Sequence, residues 1–116
     1  MPTTPADTQE LLDRSLRGDA IAKQELLVRH RPRLLRMIGA RLDPRLAARL
    51  DPSDVVQEAV AEAALHLDDY LRDPPLPFYP WLRQFAWERL VKAHRQHIHA
   101  RCRSIVCEER PEMYLS

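Results

Sequence analysis

The sequence predicts an all-α protein, a compact bundle of four to five helices, and three observations carry that prediction. Only two glycines occur in 116 residues, and no run of β-branched residues alternates with polar ones as a half-buried strand requires. Alanine, leucine, arginine and glutamate, all good helix formers, dominate the composition. The ten prolines sit at the edges of apolar-periodic segments, where they start or stop helices. A chain of this length holds one domain with a single core.

Residues 1–6 read as disordered. A first helix is predicted from about Thr8 to Arg17, with Leu11, Leu12 and Leu16 as its apolar side and Gly18 as its stop. Asp19 caps a second helix running towards Leu42 that turns Leu26, Leu27, Leu34, Leu35, Ile38 and Leu42 inward. Arg29, Arg33 and Arg36 share another face of it. Pro32 either kinks this helix or divides it. Residues 43–50 form a helical turn or short helix between two Asp-Pro breaks.

The best-marked helix starts at Asp51. Asp51 is the N-cap, Pro52 suits the first helical position, and the acid Asp54 meets the positive end of the helix dipole. Val56, Ala59, Val60, Ala63, Leu67 and Tyr70 recur at the 3–4 spacing of a buried face. Asp54, Gln57, Glu58 and Ala61 lie on another face that carries no bulky apolar residue. That strip is either solvated or accepts hydrogen bonds from a partner helix.

The run Arg-Asp-Pro-Pro-Leu-Pro then makes a stiff, extended loop, and a last long helix follows from about Phe78 to Ala100. Leu82, Ala86, Leu90, Ala93 and His97 define its apolar side, flanked by Trp87, Val91 and Ile98. Gln84, Glu88, Lys92 and Arg95 form a polar strip opposite, with Trp81 and Phe85 along its edge. Aromatic faces beside cations suit single-stranded nucleic acid, where bases stack and Lys and Arg hold phosphates; the same aromatics also suit a core. Residues 7–103 thus make the domain, and 104–116 a tail or linker.

Net charge is only +1, so the chain as a whole carries no nucleic-acid signature. Its distribution does: Arg83 to Arg103 holds six Lys/Arg, three histidines and one acid, Glu88. No apolar run reaches the roughly 18 residues of a membrane span, and the N-terminus lacks the regions of a secretory signal. Cys102 and Cys107 match no CxxC motif, which fits free thiols in a cytoplasmic protein. His94, His97, His99 and the two cysteines match no standard zinc spacing, so no metal is expected. Glu58 and Glu62 lie one turn apart, but no nucleophile–base pair or phosphate loop accompanies them, so neither an enzyme nor a cofactor is expected.

Asp-Pro-Ser-Asp-Val-Val-Gln-Glu-Ala at 51–59, followed by Phe-Tyr-Pro-Trp-Leu-Arg at 78–83, resembles the two signatures of bacterial extracytoplasmic-function sigma factors, and the spacing between them is similar. Arg-His-Arg-Pro-Arg-Leu-Leu-Arg-Met at 29–37 resembles the first helix of that family's promoter-melting domain, sigma region 2. The resemblance spans about Leu11 to Arg103. It implies a transcription initiation factor domain with two surfaces. Asp54, Gln57 and Glu58 would dock on the clamp helices of the RNA polymerase β′ subunit. The loop at Asp69 to Pro77 would take a flipped base, and Arg72, Tyr79, Trp81, Gln84, Glu88, Lys92 and Arg95 would hold the non-template strand of the promoter −10 element. An anti-sigma factor is a further partner that the family admits.

Two departures stand out. Many family members carry asparagine where this chain has Glu88, which changes the base read there or turns the residue to protein; cytosine N4 is one donor a carboxylate accepts. The family also continues into a helix-turn-helix domain that reads the −35 element, so on this resemblance the chain is either part of a longer protein or a region 2 that works alone. A helical protein-interaction or regulatory module that does not touch DNA is the alternative.

Overall fold

Three aspartates set where the middle of the chain turns helical. Asp19 Oδ1 accepts from the backbone N–H of Ile21 at 3.0 Å and of Ala22 at 3.1 Å. Asp43 Oδ1 accepts from Arg45 at 2.8 Å, and Asp51 Oδ1 from Ser53 at 2.9 Å. Each satisfies amides that a helix start leaves without a carbonyl partner. Pro44 and Pro52 follow their caps directly, where a missing N–H costs nothing. The Ala22 amide first, then the Arg14 guanidinium, holds the Asp19 carboxyl below its ordinary pKa.

The computed structural model describes residues 6–109, with the side chains of residues 7–103. It contains α1 (Ala6–Leu16), α2 (Ala20–Arg29), α3 (Arg31–Arg41), the single turn α4 (Pro44–Ala47), α5 (Pro52–Arg72) and α6 (Phe78–Glu109). The described residues form no strand. The fold is all-α, as the composition predicts. Of the N-terminal residues 1–6 expected to be disordered, Ala6 is instead the first residue of α1, while residues 1–5, and 110–116 at the end of the tail, lie outside the described residues.

Pro32 divides the helix predicted from Asp19 to Leu42. It has no N–H to give the Val28 carbonyl, and its ring crowds that oxygen. The helix therefore ends at Arg29, His30 takes φ −94° and ψ 0°, and α3 starts at Arg31. At the other joint, Gly18 adopts φ +89° and the Asp19 N–H reaches back to the Arg14 carbonyl at 3.1 Å. No neighbour crowds a Cβ at Gly18, so the left-handed backbone alone calls for glycine.

α5 packs against α1, α2, α3 and α6, and α6 also packs against α3. Leu26, Leu34, Ile38, Val56, Ala59, Ala63, Leu82, Ala86 and Leu90 are sealed at the centre. Each large aliphatic chain there contributes about 1.5–3 kcal/mol of burial. Four expectations change. Leu16 is 59% exposed, because α1 covers the bundle with Leu11 and, partly, Leu12. Val55 and Leu71 join the buried side of α5, which has helices on several sides. Trp87 and Ile98 are exposed, not flanking the core. The last helix passes Ala100 and Arg103 to end at Glu109, so the expected tail starts as helix.

Candidate functional site

The acid and amide strip of α5 is on the surface. Asp54, Gln57 and Glu58 are all exposed, because the capped start of α5 turns Val55, Val56 and Ala59 inward. Glu58 is not idle, however. Arg89 of α6 donates from Nη1 to Glu58 Oε2 at 3.0 Å, and from Nε and Nη2 to Glu62 Oε2 at 3.2 and 3.0 Å. One guanidinium thus ties two successive turns of α5 to the middle of α6. Arg89 is not among the sequence-predicted site residues, although a cation on the flank of α6 opposite an i, i+4 pair of glutamates was the available signal.

Trp81 does not face a strand. It is 7% exposed, with its ring centroid 4.5 Å from Tyr70, 5.7 Å from Phe78 and 5.0 Å from Phe85, the last contact edge-on at 75°. α5 covers the flank of α6 that carries Trp81, and Tyr70 fills the space above its ring. This position is therefore corrected from a stacking surface to core. Phe85 is half-buried and stacks on His66 at 5.9 Å.

Gln84, Glu88, Lys92 and Arg95 all lie exposed along the outer side of α6. Beside them, α3 and α6 diverge into an open cleft of about 440 Å³ lined by Met37, Arg41, Arg83, Gln84, Trp87 and Glu88. Trp87 is 46% exposed there, and the Arg41 guanidinium lies over its ring at 5.9 Å. Trp87 is thus the exposed aromatic of this helix. Its signal in the sequence was the six-residue step from Trp81, which puts the two rings on opposite flanks of one helix at about 100° per residue.

The remaining predicted positions surround the start of α6. Arg33 closes over the Tyr79 ring at 3.7 Å, and His30 packs 5.8 Å from the same ring, so Tyr79 is half-buried. Arg72, in the last turn of α5, is exposed and pairs with Asp69. The loop proper is Asp73 to Pro77, since α5 extends through Arg72. The Tyr70 hydroxyl donates to the Leu76 carbonyl at 2.6 Å and pins the loop. Burial raises the Tyr70 pKa, which keeps that proton in place as a donor. Leu12 and Leu16 of α1, with Tyr70 and Pro74 to Pro77, bound an apolar groove of about 420 Å³.

Among the described residues, no three His, Cys, Asp or Glu side chains converge as metal ligands would. No described helix is long and apolar enough to cross a membrane. His94 instead accepts the Asp43 backbone N–H through Nε2 at 3.3 Å, fastening the start of α4 to α6. Comparison with protein-family models, curated proteins and solved structures finds no match to this chain.

Proposed function

We propose that this chain is a sigma region 2-like transcription initiation domain that docks on the RNA polymerase β′ clamp helices and holds the non-template strand of a promoter −10 element. The observation that carries the reading is the separation of two polar surfaces on helices packed against each other. α5 offers acids and an amide at Asp54, Gln57 and Glu58, while α6 exposes the cations Lys92 and Arg95 and, elsewhere on the same helix, the aromatic Trp87. The first suits a partner rich in arginine, and the second suits phosphates and bases. The signature pairing at 51–59 and 78–83 and the apolar groove at the loop, where an extruded base would find an apolar seat, support the same reading. A cytoplasmic location and regulation by an anti-sigma factor go with it as proposals.

The test is binding of the purified chain to isolated β′ clamp helices. The double variant Gln57→Ala/Glu58→Lys should weaken it by about 1.5–3 kcal/mol, the range for hydrogen bonds to charged groups. Absence of binding by the wild type rejects the docking half. Lys92→Ala and Arg95→Ala should each lower the salt dependence of single-stranded DNA affinity by about 0.7 in slope. Slopes unchanged in both variants place the strand elsewhere.

The alternative, an interaction module without DNA, has two observations in its favour. Arg89 already occupies Glu58, and Ile21 and Val28 are exposed on α2. Clamp-helix binding with no single-strand binding would select it.

A further inference from the structure

We propose that the α3–α6 cleft is a seat for one unstacked guanine, which slides between the Trp87 ring and the Arg41 guanidinium and is read by Glu88 and Arg83. The inference rests on the reading of α6 as the strand-holding helix and adds to it a second base seat, apart from the groove at the loop.

The two arginine–aromatic pairs among the described residues show why this cleft is open. Arg33 sits 3.7 Å from the Tyr79 centroid, which leaves no space between guanidinium and ring. Arg41 sits 5.9 Å from the Trp87 centroid. A base stacked on both planes at about the 3.4 Å spacing of DNA needs about 1 Å more than that. Arg41 is exposed and able to yield it. Bases stack on indole and guanidinium planes alike, so the sandwich needs no rearrangement of the helices.

The rim of the cleft sets the choice of base. Glu88 only accepts, and Arg83 only donates. Guanine carries two adjacent donors, N1–H and N2–H, which match the two oxygens of a carboxylate. It also carries the adjacent acceptors O6 and N7, which match a guanidinium. Cytosine offers Glu88 its N4 amine with no second donor beside it. Thymine offers a single N3–H. Adenine lacks the O6 acceptor. Gln84, at the same rim, both donates and accepts and so does not discriminate.

The chain has two tryptophans, and Trp81 is buried, so fluorescence isolates the proposed platform. The 116-residue chain is titrated at low salt with labelled oligothymidylates carrying one central guanine, adenine, cytosine or thymine. Anisotropy reads binding, and tryptophan emission reads the stack. The expected result is tightest binding to the guanine oligonucleotide, with quenching that disappears in Trp87→Phe, whose only tryptophan is Trp81. Trp87→Ala should weaken guanine binding roughly five- to hundredfold, the loss that removal of one base–aromatic stack brings. Glu88→Gln should shrink the guanine preference, with any general gain from the lost negative charge shared by all four oligonucleotides. Binding without quenching, quenching that survives in Trp87→Phe, or equal affinity for all four bases overturns the seat and leaves the strand-holding reading intact. No binding to any oligonucleotide overturns both.

Discussion

The two flanks of α6 carry one tryptophan each, six residues apart, and they have opposite fates. Trp81 lies under α5, enclosed by Tyr70, Phe78 and Phe85, while Trp87 opens towards α3 with nearly half of its surface in solvent. The α5 flank is further closed by Arg89, which spans Glu58 and Glu62. On the α3 side the Asp43 amide bonds His94 beyond the open cleft, and Arg33 closes over Tyr79 nearer the start of α6. One flank is built to hold the bundle together, and the other leaves functional groups uncovered. An aromatic residue on a helix is therefore assigned by the neighbour that covers it, not by its residue type.

The sharpest way to break this comparison is Trp81→Ala. It should cost about 3–5 kcal/mol, as truncating a buried tryptophan does, and chemical denaturation should show a midpoint far below wild type. A loss under about 1 kcal/mol would remove Trp81 from the core. Arg89→Ala should cost about 1 kcal/mol, because it leaves two glutamates one turn apart without their shared cation, yet both retain water. That loss should shrink at high salt, which the same denaturation series checks. His94→Ala should cost about 0.5–1 kcal/mol, through one partly buried hydrogen bond near the long limit. Smallest of all, Trp87→Ala should shift stability by no more than about 0.5 kcal/mol. A large loss there would make the α3 flank structural too and close the contrast.

Much of the fold was legible because its determinants are local. The Asp caps at 19, 43 and 51, the prolines behind two of them and the left-handed Gly18 each act within four residues of themselves. The buried faces of α5 and α6 followed from periodicity for Val56, Ala59, Ala63, Leu67, Leu82, Ala86 and Leu90. What periodicity does not contain is which flank of a helix a neighbour will occupy. Periodicity sets Trp81 at the edge of the polar strip and Trp87 beside the apolar side, and the seating of α5 and α3 reverses the two. The Arg89 bridge and the His94 contact join residues 27 to 51 positions apart, beyond any local pattern. For the candidate site, Asp54, Gln57, Glu58, Gln84, Glu88, Lys92 and Arg95 are exposed as expected, while Trp81 moved inward.

His30 closes the joint between α2 and α3, its ring 5.3 Å from Phe78 and its Nε2 buried with no hydrogen-bond partner. Burial first, then the charges of Arg33 and Arg29, holds this imidazole below its ordinary pKa of 6.5. In the unfolded chain it takes up a proton near 6.5, whereas in the folded chain it resists one, so acid favours unfolding. The stabilising contribution is whole above that pH and drains away as the solution becomes more acidic. Thermal melts of wild type and His30→Phe between pH 7.5 and pH 5 should diverge on the acid side, wild type falling faster; parallel curves would show that folding leaves the His30 pKa unchanged. The joint that Pro32 forces on the chain thereby gives the bundle a built-in sensitivity to mild acid at the point where α2 and α3 meet the start of α6.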